Sequence, residues 1–357
     1  MTTTLRLRSF TIAVAAIVAG AGAYLYFARV ESSTASTGAA ADSAAELQAV
    51  ASIRKGAYVA FRDLRPGPTY GHLTFSSLEN LSRRAGTTIS CNRLHFSATD
   101  GLCLTISTAP VGFFGHLIDD QLNITQSINL PGMPSRARVA RNGQFAAYTS
   151  FVAGDSYLAA GLSTRSRIVR MPSGEDVADL ESFAVSRDGK EFYSIDFNFW
   201  GVTFTHDPNR IYATLGTGGR ILLVEGDVAA REFRVIAEDI ECPSLSPDEK
   251  HIAFKKRFGT GFDVWWQPAV IDLATMTVRQ LPESKHIDDQ IEWLDDGHIL
   301  YAVGHSASAT VRRADIWTIA IDGGSPSSIF LADAESPAVV SREDAGRADT
   351  RRADARR

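Results

Sequence analysis

The chain is poor in the residues and spacings that announce a particular chemistry. It has three cysteines and no C-x-x-C pair, which removes a zinc site of that spacing. Eight histidines are present, yet none forms an H-E-x-x-H or similar close pair, so they read as structural or exposed side chains rather than ligands. No G-x-S-x-G elbow occurs, and the repeats described below leave no room for a hydrolase domain, which argues against a prolyl-oligopeptidase type of enzyme. GTGG at 216–219 lacks the Lys-Ser/Thr of a phosphate loop and reads as a turn between strands. A concentrated basic face is missing as well. The formal net charge is −5 and the arginines are scattered, whereas nucleic-acid binders gather cations against phosphates. The expectation is therefore no enzyme, no metal, no cofactor and no nucleic-acid partner.

What is present begins at the N-terminus. After Arg6 and Arg8 comes FTIAVAAIVAGAGAYLYFA, Phe10 to Ala28, an uncharged apolar run long enough to cross a bilayer as a helix. The flanking arginines favour a cytoplasmic segment 1–9, an anchor over 10–28 and everything downstream outside the cytoplasm. The protein would then be a single-pass protein of the cell membrane. A cleaved signal peptide followed by secretion is the alternative, with GAAAD at 38–42 as its cleavage region. Residues 29–55 are small and polar and read as a flexible linker. Residues 341–357 mix charges without an apolar period and read as a disordered charged tail. The folded body is expected over 56–340, and a composition of 45% hydrophobic and 22% charged residues suits a domain with a real core.

An exported chain favours disulfides. Cys91 and Cys103 flank NRLHFSATDGL, which looks like a hairpin, so the two can meet without a long loop closure; Cys242 is then a buried, small apolar residue. Three unpaired buried thiols is the alternative, because sequence does not fix connectivity.

The stretch SPDEKHIAF at 246–254 is a turn followed by alternating apolar residues, and the pattern recurs in LDDGHILYA (294–302), HDPNRIYAT (206–214), ARNGQFAAY (140–148), SRDGKEFYS (186–194) and ATDGLCLTI (98–106). A second strand closed by a turn follows, then a short outer strand, which makes a four-stranded antiparallel meander. Six such units fit between Gly56 and Val340 at the spacing of propeller blades. FAVSRDGKEFYSIDFNF reads as an extra hairpin between the third and fourth. ESPAVV (335–340) resembles the inner-strand sequence ECPSLS (241–246) with nothing after it, while the first unit lacks an inner strand. The C-terminal strand is therefore expected to complete the first blade and close the ring.

LSPDEKHIAF, WLDDGHILYA and ADIWTIAIDGGSP resemble the WD40-like (PD40) repeats of TolB-type proteins, and the motif order is similar to that of actinobacterial TolB-like translocation proteins. The resemblance spans nearly all of 56–340. It implies an all-β, six-bladed β-propeller of four-stranded antiparallel blades at a bacterial cell envelope, and it speaks to architecture rather than activity. TolB-type proteins of the envelope complex carry a small α/β domain before the propeller. Here only the expected linker lies between anchor and first blade, so that role is not implied.

Paired acids at Asp119–Asp120, Asp288–Asp289 and Asp295–Asp296 invite an acid–base reading. However, Asp119, Asp227, Asp272 and Asp322 fall at or beside the same turn of successive repeats, where short polar side chains are favoured locally. Binding is expected on the face that gathers the loops between second and third strands and the connections between blades. Arg136, Arg138, Tyr157, Trp200, Lys256, Arg257, Phe262 and Arg312 are assigned there, since Arg and aromatic residues are enriched where proteins grip partners. The leading expectation is an interaction module with an envelope or secreted protein partner. The alternatives are a small-molecule or glycan-binding sensor and an envelope-polymer hydrolase or lyase with a channel-mouth active site.

Overall fold

The first three strands, β1 (Tyr58–Asp63), β2 (His72–Ser77) and β3 (Asn80–Ser90), pair in order, and the innermost place beside β1 is taken by the last strand of the chain, β26 (Ala334–Val340). The ring is thus sealed by strands from both ends of the repeat region, as the unmatched ESPAVV predicts. The second blade is β4 (Arg93–Phe96), β5 (Gly101–Thr108), β6 (Val111–Ile118) and β7 (Ile124–Asn129); the third is β8 (Met133–Val139), β9 (Phe145–Val152), β10 (Ser163–Arg170) and β11 (Asp176–Asp179). The hairpin β12 (Ala184–Arg187) and β13 (Lys190–Glu191) comes next. It lies parallel against the outer edge of the fourth blade, β14 (Asn198–Phe204), β15 (Arg210–Thr217), β16 (Arg220–Asp227) and β17 (Glu232–Glu238). The fifth blade is β18 (Glu241–Leu245), β19 (His251–Phe258), β20 (Trp265–Asp272) and β21 (Val278–Gln280); the sixth is β22 (Glu292–Asp295), β23 (His298–His305), β24 (Arg313–Ala320) and β25 (Ser328–Leu331).

This computed structural model describes residues 38–152, 163–259, 263–305 and 312–346. The segment 1–9 and the apolar run 10–28 lie outside the described residues, as do Tyr157 and Phe262. Among the described residues no helix is long and apolar enough to cross a membrane. The chain divides into two units, Met1–Ala49 and Val50–Arg357. The stretch expected as a flexible linker contains a helix, α1 (Gly38–Ile53). Its alanine-rich sequence has high helix propensity, a signal outweighed in the sequence reading by the lack of large apolar groups. Within the second unit, Val50 and Ile53 are buried, and the Arg54 guanidinium lies over the Phe75 ring and donates to the Asp120 carbonyl at 2.7 Å. Residues 342–346, at the start of the expected tail, form a short helix with Ala345 buried.

Each sheet is covered by a neighbour on either face, so the middle of a second strand is apolar on both parities. In β19, HIAFKKRF, four consecutive residues from Ile252 to Lys255 are buried. The core is a series of layers between adjacent blades. Ile168 of the third blade packs with Phe199, Leu215 and Phe233 of the fourth; Leu223 of the fourth packs with Phe254 and Ile271 of the fifth; Val59 and Phe61 of the first pack with Leu300 and Ile316 of the sixth. Each fully buried Phe or Leu contributes about 1.5–3 kcal/mol. The Asp side chains at the outer turns cap backbone amides: Asp119 accepts from Gln121 and Asn123, Asp227 from Ala230, Asp272 from Ala274 and Thr275, and Asp322 from Gly324. These aspartates are turn formers.

Cys91 and Cys103 form a disulfide with their Cα atoms 5.4 Å apart, and Cys242 is a buried free thiol.

The connection into the extra hairpin buries a carboxyl group. Glu181 accepts the Ser166 amide with both oxygens, at 3.2 and 3.3 Å. Burial, helped by the neighbouring Asp179, pushes its carboxyl up to about 8. A folded-state pKa above the unfolded value means that the group favours folding fully below about pH 4.5 and that this contribution is lost as pH rises through 8. Glu181→Gln keeps the acceptor and removes the titration. It is expected to match the wild type in melting temperature near pH 5 and to be more stable by about 2–3 kcal/mol at pH 9, with the gain reduced by partial exposure. Equal pH profiles for the two proteins would contradict this assignment.

Candidate binding face

The inner strands set the site. Residues 241–243 (Glu-Cys-Pro) and 335–337 (Glu-Ser-Pro) each contain a bulge, and Cys242 and Ser336 both take φ 53°. Bulges re-aim side chains, and both Glu241 and Glu335 are buried at the channel mouth on the loop face. The amides at the bulges bond to Thr214 Oγ1 at 2.8 Å and to Asp289 Oδ2 at 2.9 Å.

Around that mouth the charges are interlocked. Glu335 accepts from Arg62 at 2.5 Å and from Arg312, and Arg93 sits 3.8 Å from Glu335 and 3.6 Å from Asp289. Lys255, with only 2% of its side chain exposed, bonds to Asp288 at 2.9 Å, lies 3.8 Å from Glu241 and sits 4.5 Å above the Trp266 ring, while Arg136 reaches Asp288 at 3.5 Å. Burial penalises the Asp288 carboxylate, but Lys255 and Arg136 outweigh that and hold it below the usual range.

One layer deeper, Arg138 closes the axis. Its guanidinium bonds to Glu292, to Ser244 Oγ at 3.2 Å and to the Ile291 carbonyl at 3.1 Å, and it lies 2.9 Å from His95 Nε2. His95 Nε2 is also 3.3 Å from Glu292, and His95 Nδ1 accepts the Val139 amide at 3.0 Å, which fixes Nδ1 as the unprotonated nitrogen. Burial alone would raise the Glu292 carboxyl; Arg138 and His95 together hold it down at about 2. Burial and the Arg138 charge push His95 below its ordinary value. The cavity at this level is about 50 Å³, room for a water molecule or so. The axis is plugged.

Off the axis, on the loop face, a recess of about 500 Å³ opens between the third, fourth and fifth blades. Phe151, Trp200 and Trp266 form its apolar walls; Arg136, Arg220 and Arg257 bring positive charge to it. Gly218 and Gly219 both have positive φ, as the two-residue turn joining β15 to β16 requires. Gly216 lies under the Trp200 ring, where a β-carbon would come within 2.7 Å of it. Asp196 clips the insertion to this turn: it accepts from Ser194 and Thr217 hydroxyls at 2.6 Å each and from the Gly218 amide at 2.6 Å, and these bonds lower its pKa. Beside the recess the insertion presents Tyr193 and Ile195, 79% and 72% exposed. They are backed by a ladder in which Phe192 and Phe197 stand 5.3 Å apart and Phe197 meets buried Phe199 at 6.1 Å.

Of the residues assigned to this face from sequence, Arg136, Trp200 and Arg257 meet in the recess. Arg312 stands at the channel mouth, held by Glu335 and by the Tyr70 hydroxyl, which donates to its carbonyl at 3.0 Å. Lys256 turns away from Lys255 and Arg257, its ammonium 5.9 Å from the Phe258 ring. Arg138 is a correction. It is 8% exposed and faces the axis, not the loops, because β8 carries it one pleat deeper than Arg136. The expectation missed Lys255, Trp266, Tyr193 and Ile195. Two adjacent lysines in AFKKRF carried a signal, since successive strand residues point oppositely and one of the pair had to face inward.

The opposite face holds a bowl of about 810 Å³ lined by Arg141, His206, Asp248, Asp296, Glu343 and Asp344. Its turn acids Asp248 and Asp295 are engaged locally, with Lys250 and Gly297 amides among their partners.

The arrangement defines a TolB-like six-bladed β-propeller with a sealed axis and a ligand-sized recess on one face. Among solved structures, TolB from Acinetobacter baumannii matches with a TM-score of 0.55 and 14% identity over 79% of this chain and 66% of that one. A chain from a nidogen/laminin complex matches with a TM-score of 0.54 and 9% identity over 80% and 98%. The chain thus spans slightly less than two thirds of the TolB chain. These likenesses are of fold. No protein-family model and no curated protein matches the sequence.

Proposed function

We propose that the protein is a non-catalytic interaction module at the cell envelope, working outside the cytoplasm, and that its protein partner docks on the loop face of the third to fifth blades. The observation that carries this is the pair Tyr193 and Ile195, exposed on the insertion beside the apolar recess. A ridge of large apolar side chains next to a pocket is the arrangement from which interface anchors are built. The plugged axis leaves the faces to do the binding. The disulfide Cys91–Cys103 supports an oxidising compartment, and the apolar run 10–28 supplies an anchor or export signal. One chain of the same fold is known from a nidogen/laminin complex, that is, beside a protein partner.

The test uses the full chain as bait in envelope extracts, compared with Tyr193→Ser/Ile195→Ser and with His206→Ala on the opposite face. The double variant is expected to lose recovery of the partner by about tenfold or more, as the loss of two interface anchors implies, while His206→Ala recovers it normally. Equal recovery by all three proteins would contradict the docking face. A small-molecule or glycan sensor is the second reading, favoured by a recess volume within the ligand range; it predicts thermal stabilisation by a cell-wall fragment.

A further inference from the structure

The recess holds more cations than it neutralises. Its three carboxylates are occupied: Asp196 by two hydroxyls and an amide, Asp288 by Lys255 and Arg136, and Glu241 by the Trp266 indole N–H at 2.6 Å. Arg220 and Arg257, in contrast, make no ion pair and no side-chain hydrogen bond among the described residues, and both line the recess. Arg136, its side chain 89% buried, adds a third positive charge beside them, shared with Asp288 and the Ser135 carbonyl. Guanidinium groups hold a carboxylate through charge-assisted hydrogen bonds, which are among the stronger polar contacts. The walls around these three guanidinium groups are aromatic, so the recess suits an anion attached to a flat apolar body.

We propose that the recess is a carboxylate-reading pocket that takes an acidic side chain next to an aromatic residue in a peptide segment of the partner. A peptide is the occupant the surface favours, because the recess shares Asp196 and Asn198 with a neighbouring hollow of about 260 Å³ that the exposed Tyr193 and Ile195 line. A small acid would fill the recess and leave that ridge uncovered. The carboxylate lies against Arg220 and Arg257, and the aromatic ring lies against Trp200 or Trp266. This proposal rests on the protein-interaction reading and adds the chemistry of the segment recognised.

Trp200 and Trp266 make the pocket its own reporter, so tryptophan fluorescence of the full chain can be titrated with three probes: acetyl-Gly-Phe-Asp-Gly-amide, its Asn counterpart, and phenylacetate. The Asp peptide is expected to bind about tenfold more tightly than the Asn peptide, the size of effect that charge-assisted hydrogen bonds supply, and to weaken as salt rises. Arg220→Gln/Arg257→Gln, both at exposed positions, should erase that preference while melting like the wild type. Equal binding of the Asp and Asn peptides, or binding of neither, overturns the proposal. Phenylacetate binding as tightly as the Asp peptide also overturns it, by making a small acid the sufficient ligand. A partner captured through Tyr193 and Ile195 with no Asp preference in the titration would remove this inference and leave the docking face standing.

Discussion

Removing residues 334–346 is expected to abolish the cooperative fold, a loss on the order of the whole stability of a domain, about 5–15 kcal/mol. The deleted piece is the inner strand of the first blade. Tyr58, Val59 and Ala60 pair with Val340, Val339 and Ala338, and Arg62 and Asp63 pair with Glu335 and Ala334. Without it β1 presents an open edge to the axis, the layer of Val59 and Phe61 against Leu300 and Ile316 loses the cover of Ala334, and Arg62 and Arg312 lose Glu335. Near-ultraviolet circular dichroism with size-exclusion chromatography reads the outcome. Adding a synthetic 334–346 peptide should restore the native signal in part, since the strand is supplied from outside. A truncated chain that melts within a few degrees of the full one would show that the ring does not depend on this closure.

Arg138→Ala carries the second-largest effect, about 3–5 kcal/mol at pH 7, because it leaves Glu292 charged, buried and short of its main partner. Arg138 and Glu292 are 8% and 7% exposed. The double variant Arg138→Met/Glu292→Leu should cost far less, since apolar groups of similar volume remove both desolvation penalties together. The pH dependence has a definite sign. Glu292 has a folded pKa near 2 against an ordinary 4.5, so its contribution is complete above pH 4.5 and is lost as pH falls through 2, a difference of about 3 kcal/mol. The depressed His95 pKa acts in the same direction: the stability it contributes is present above about pH 6.5 and is lost on acidification. In Arg138→Ala the stranded carboxylate is relieved by protonation, so the gap between variant and wild type should narrow from pH 7 towards pH 3. Chemical denaturation at several pH values measures it, and a constant gap would mean that the Arg138–Glu292 charge pair is not what holds this layer.

Much of the architecture was legible because its signals are local. Each Asp- or Gly-containing turn caps its own backbone, and an apolar second strand of eight residues follows it at once, so SPDEKHIAF and its relatives reported blades without knowledge of their partners. Even the closure was visible, since ESPAVV resembles ECPSLS with no further strand after it to complete a blade, and the structure shows a bulge at the Glu–small residue–Pro of each. The site was less legible because it is built across blades. Lys255 meets Asp288 over 33 residues, and Arg138 meets Glu292 over 154; no spacing rule spans such distances. Arg138 and Arg136 look alike in sequence and share one face of β8, and only their two-residue separation along the strand puts one in the axial plug and the other at the recess. Helix α1 escaped because alanine-rich, low-hydrophobicity sequence serves a tether as readily as a helix.

Hydrogen–deuterium exchange of the full chain with and without its captured partner tests most directly which face of the propeller holds that partner. Slowed exchange is expected at 192–200, 216–221 and 255–259, around the insertion and the recess. Slowed exchange confined to the turns at 97–100, 246–250 and 295–297 would place binding in the bowl on the other side and contradict the account.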